Sequence, residues 1–107
     1  MTRAWTWPWW ATVSEWLLDP ADFELAHADL GALAGGSPEE NARRMASLLG
    51  GARDPGARAA VVLNAAAAIY VSSGGGTFRE AVGKAQAALD QGRAAEALAR
   101  LREMAPR

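Results

Sequence analysis

Asp19, Asp22, Glu24 and Asp29 are the first residues in this chain whose type could do chemistry, as oxygen ligands for a hard cation. Their spacing fits no EF-hand loop, so they read as solvated surface around a short helical turn. Glu39 and Glu40 could be paired for general acid/base work. Neighbours on a helix point about 100° apart, however, and two carboxylates there suit the positive end of the helix dipole better. One histidine, His27, and no cysteine leave little for a nucleophilic triad or a thiolate metal site. His27 lies between alanines and reads as a surface or structural residue.

Two glycine-rich stretches precede helix starts: Gly35–Gly36–Ser37, and SSGGGT from Ser72 to Thr77. Backbone amides exposed by such glycines can cradle a phosphate. Neither stretch has the spacing of GxxxxGK[ST] or GxGxxG, and Glu39 and Glu40 would repel an anion at the first. Both read as connectors ending in an N-cap, Ser37 and Thr77. Each cap is followed three residues later by a glutamate, Glu40 and Glu80, which is the capping-box pattern. Asn64 sits inside the most apolar segment, AVVLNAAAAIYV from Ala60 to Val71. A buried amide needs partners, so Asn64 is expected to bond a loop backbone and fix a register.

Five tryptophans fall in the first sixteen residues: Trp5, Trp7, Trp9, Trp10 and Trp16. Tryptophan favours membrane interfaces, but the stretch lacks the Lys/Arg content of a membrane-active peptide. A Trp-lined hairpin packing on a core or on a partner is the preferred reading. The net charge of −1 lacks the basic excess of a nucleic-acid binder. Charge is uneven all the same: residues 1–40 carry −6 and residues 41–107 carry +5. The apolar run Ala60–Val71 is shorter than the ~20 residues of a bilayer span, and no secretory leader is visible. The expectation is therefore a cytoplasmic chain with no membrane span.

The elements that would position these residues follow from periodicity and punctuation. Trp5, Trp7 and Trp9 alternate, as on one face of a strand. Thr12 to Leu17 is a second β-prone run, and Pro8 to Ala11 would make the turn. This gives a Trp-rich hairpin over 1–18. Residues 19–36 form a connector with short helical turns, the first capped by Asp19 with Pro20 at its first position. Residues 37–107 form a four-helix region, with helices about 38–49, 57–72, 78–91 and 94–104. Gly50, Gly51 and Gly92 end helices. On the first helix Arg43 and Arg44 are expected to point outward. On the third, Phe78, Val82, Ala85, Ala88 and Leu89 form the inner face. The central helix is apolar almost all round, so it needs cover on every side. The hairpin and three flanking helices can hardly supply it, and the chain is expected to expose apolar area, tryptophans included. The fold class is mostly α with an N-terminal β-hairpin.

Taken together, LDPADFEL (Leu18 to Leu25), GGSPEENA (Gly35 to Ala42), AVVLNAAAAIYV (Ala60 to Val71) and TFREAVGKAQAALDQGRA (Thr77 to Ala94) resemble the C-terminal part of the anthranilate phosphoribosyltransferase family in order and spacing. The match is carried by Pro20, Asp22, Phe23 and Leu25, by Gly35, Gly36, Glu40, Asn41 and Ala42, by Leu63 to Ala67, and by Gly92 and Ala94. Thr12 to Trp16 resembles the second strand of the hairpin that precedes these motifs. Glu24 stands where the family usually has glycine, Ala81 replaces another usual glycine, and Pro8 to Ala11 replace a polar turn.

The resemblance implies the C-terminal portion of an α/β phosphoribosyltransferase domain, all of this chain belonging to one truncated domain. It implies a parent reaction that joins phosphoribosyl pyrophosphate to anthranilate in tryptophan biosynthesis. The family's phosphate loop, its Mg²⁺-holding Asp-Glu pair and its anthranilate contacts lie upstream of the matched region, and this chain has no Asp-Glu dipeptide. No catalytic, substrate-binding or metal residue is therefore assigned. Asn64, Asn41, Glu40, Ser37 and Thr77 are structural candidates. The chain alone is expected to be inactive and to hold no cofactor. Its expected partner is the missing upstream part of the enzyme, or a second copy through an exposed apolar face. The alternative is a small non-enzymatic helical interaction module.

Overall fold

A computed structural model describes residues 2–6, 12–26, 30–73 and 76–106. Trp7, Trp9 and Trp10, the turn Pro8–Ala11, His27, Asp29 and the middle of the SSGGGT loop lie outside the described residues.

Strands β1 (Thr2–Thr6) and β2 (Thr12–Trp16) pair antiparallel, with Thr2 opposite Trp16 and Trp5 opposite Val13. A 3₁₀ turn follows at Pro20–Phe23 and another at Leu30–Leu33. Four helices complete the chain: α1 (Pro38–Leu49), α2 (Pro55–Ser73), α3 (Phe78–Asp90) and α4 (Arg93–Met104). The structure is mostly α with an N-terminal hairpin. α2 starts two residues earlier than its apolar pattern suggests, because Pro55 occupies its first position. At 19 residues it is long and apolar enough to cross a membrane by length and composition, although the Ala60–Val71 run is not.

The core lies between α2 and α3. Val62 and Ala66 of α2 meet Phe78, Ala81, Val82, Ala85 and Leu89 of α3, with Phe23, Leu25, Leu49, Leu63, Ile69 and Ala94 around them. Alanines at 66, 81 and 85 let the two helix backbones approach closely. Ala81, where the related family usually has glycine, is buried in this seam and fits it as an ordinary helix former. Ala88, expected on the inner face, is only half-buried. Gly92, at φ +77°, makes the turn from α3 to α4, a conformation that glycine adopts without strain.

One expectation is met here, the uncovered apolar area of α2, and one fails, the partner of Asn64. α2 is not covered on every side: Val61 is 41% and Val71 81% exposed, and Asn64, Ala67, Ala68 and Tyr70 are exposed with them. α3 covers one face of α2, and nothing among the described residues covers the opposite one. Asn64 is on that open face, so it does not bond a loop. Its amide turns back and donates to the Ala60 carbonyl one turn earlier, at 2.8 Å.

The molecule is correspondingly extended. Its radius of gyration is 16.5 Å, against about 13 Å for a compact domain of this length. Its surface of 8156 Å² exceeds the roughly 5,700 Å² expected of a folded monomer of 11.2 kDa.

Candidate functional site

The N-terminus of α1 holds three of the five candidates in one hydrogen-bonded corner. Ser37 has extended backbone, and its Oγ accepts from the Glu40 N–H at 3.1 Å. The Asn41 side chain closes on Gly36 in both directions: Oδ1 accepts from the Gly36 N–H at 2.9 Å, and Nδ2 donates to the Gly36 carbonyl at 3.3 Å. The Gly-Gly pair is what allows this. A Cβ on Gly35 would stand 3.3 Å from the Asn41 amide, and one on Gly36 would collide with the Glu40 carboxylate.

At α3 the arrangement repeats. Thr77 Oγ1 accepts from the Glu80 N–H at 3.1 Å, and a Cβ on Gly76 would come within 2.8 Å of Glu80 Oε2. In both capping sequences the glutamate carboxylate lies against the preceding glycine and makes no hydrogen bond among the described residues. Only half of each capping box is formed. Both caps serve their own helices, and Thr77 is not brought together with the α1 corner.

Arg44, expected to point outward, instead ties two loops together. It grips Asp54 with two bonds, Nε to Oδ2 at 2.8 Å and Nη2 to Oδ1 at 3.2 Å, and also donates to the Ala34 carbonyl at 3.4 Å. Asp54 sits just before Pro55 at the start of α2, and the Ala57 N–H lies where it favours the charged carboxylate. The Arg44 hydrogen bond holds the Asp54 carboxyl below its ordinary value. Partial burial opposes this, and Arg44's charge and the Ala57 N–H reinforce it. The same bond raises Arg44. The sequence marked Asp54–Pro55 as a helix start but gave no signal that Arg44 would reach it.

Between these groups runs an open groove of about 640 Å³, lined by Leu33, Gly35, Asn41, Arg44, Met45 and Val61 among others. Apart from Asn41 and the already paired Arg44, these lining groups are apolar or backbone. Among the described residues that line it there is no hydroxyl, carboxylate or imidazole. Asp19 serves as a cap, accepting from the Ala21 N–H at 2.9 Å. Among the described residues no three His, Cys, Asp or Glu side chains converge.

A second cluster, missed by periodicity, is aromatic. The Trp16 ring meets Phe78 at 5.5 Å and Tyr70 at 5.9 Å, both edge-on, and Phe23 lies 5.4 Å from Phe78. Arg79 stacks over Phe23 at 5.2 Å and donates to the Asp22 carbonyl. This cluster fastens the hairpin and the first 3₁₀ turn onto α2 and α3. That turn ends at Glu24, which has φ +60° and ψ +29°, the left-handed conformation.

A capped helical scaffold is what the geometry of the described residues defines, and comparison with known proteins says of what. The chain belongs to the glycosyl transferase family, whose a/b domain matches residues 5–95. It resembles the C-terminal part of anthranilate phosphoribosyltransferase. It is 38% identical over 95 residues to the anthranilate phosphoribosyltransferase of Natronomonas pharaonis, covering 89% of this chain and 28% of that protein. It is 42% identical over 89 residues to that of Methylorubrum populi (83% and 26%), and 41% over 96 residues to that of Mycobacterium ulcerans (83% and 26%). The chain thus spans only about a quarter of the length of these curated relatives. No solved structure matches it.

Proposed function

We propose that this chain is the scaffold end of a phosphoribosyl-transfer domain of the anthranilate type. The reaction of the whole would join ribose C1 of phosphoribosyl pyrophosphate to the anthranilate nitrogen, with pyrophosphate leaving, in tryptophan biosynthesis. The share of these residues is to brace the domain; they contact neither substrate. The observation that carries this reading is the α1 corner. Gly36 and Asn41, which carry part of the family resemblance, are used here to lock a helix start.

Mg²⁺, in this reading, is bound by residues outside the matched region, and the chain by itself is inactive. It works in the cytoplasm, without nucleic acid. α2 packs inside protein and does not cross a bilayer. Its Arg58 forms an ion pair with Asp90 of α3 at 2.9 Å, and Ala66 is fully buried against α3. Charged groups within a membrane-spanning segment are costly.

The test uses the purified 107-residue chain with phosphoribosyl pyrophosphate, anthranilate and Mg²⁺, where no product is expected. Placed in the Methylorubrum populi relative in exchange for its matched segment, the chain is expected to support product formation. Mg²⁺-dependent product from the isolated chain would overturn the scaffold assignment.

A further inference from the structure

We draw no further inference here: the strongest candidate, the open groove between α1 and α2 lined by Leu33, Met45 and Val61, is an unpartnered apolar face, and nothing in the structure shows what covers it.

Discussion

Asn41 and Gly36 hold each other by two hydrogen bonds, the side-chain amide matching the backbone N–H and C=O of the glycine like a strand partner. This clamp closes the start of α1 on the connector that leads into it. Asn41→Ala removes both bonds and leaves the Ser37 cap alone. The expected cost is about 1 kcal/mol, since each exposed bond contributes little net. Asn41→Asp keeps the acceptor for the Gly36 N–H and is expected to cost less. Urea unfolding followed by circular dichroism measures both.

Glu24 occupies a left-handed conformation that L side chains enter at a penalty of about 1–2 kcal/mol. It is the non-glycine residue with positive φ among the described residues, and it stands where the related family usually has glycine. Glu24→Gly is therefore expected to stabilise the chain by about 1 kcal/mol, the strain relief being partly offset by glycine's greater freedom when unfolded. Glu24→Val, β-branched, is expected to shift the urea midpoint the opposite way.

Trp16 is the described hairpin side chain seen in ring contact with the helical body, through Phe78 and Tyr70. Trp16→Ala should release β1 and β2 without unfolding α2 and α3, whose core of Val62, Ala66, Val82 and Leu89 does not need it. Amide hydrogen exchange at residues 12–16 is expected to rise toward that of a free peptide, with exchange in α3 unchanged. Equal loss of protection in α3 would show that the aromatic cluster holds the core itself.

How far the sequence was legible follows from where its signals act. Ser37, Pro38 and Thr77 are local signals, and they placed the starts of α1 and α3 because a cap and a fixed φ need no tertiary partner. The period of Phe78, Val82, Ala85 and Leu89 identified the buried face of α3. The open face of α2 was legible because composition states how much apolar surface must be covered, and the hairpin and three flanking helices are too little to cover it. Asn64 was misplaced because its amide finds a partner one turn back on its own helix. Arg44 was read as solvated because its partner is ten residues away, across a turn that periodicity does not describe. Glu24 was legible only as a departure from a family pattern. Its positive φ supplies the physical reason that glycine suits the position.

The Arg44–Asp54 pair should make stability depend on acid pH in a defined sense. The Asp54 carboxyl is held below its ordinary value chiefly by the Arg44 hydrogen bond. A depressed folded-state pKa means that the ionised form is favoured by folding. The contribution is therefore complete above the unfolded carboxylate value near pH ~4, and it is lost as pH falls through the lower folded value. Asp54→Asn is expected to flatten the stability profile in that acid window. It should also lower stability at neutral pH, because the α1–α2 loop loses its bidentate grip. Arg44→Lys keeps the charge but not the two-pronged geometry, and should cost less than Asp54→Asn. Because the pair is partly exposed, added salt should shrink the difference between the parent and Asp54→Asn. Urea midpoints at low and high ionic strength from pH 3 to pH 7 check this. An acid profile unchanged by Asp54→Asn would mean that the pair contributes nothing to stability.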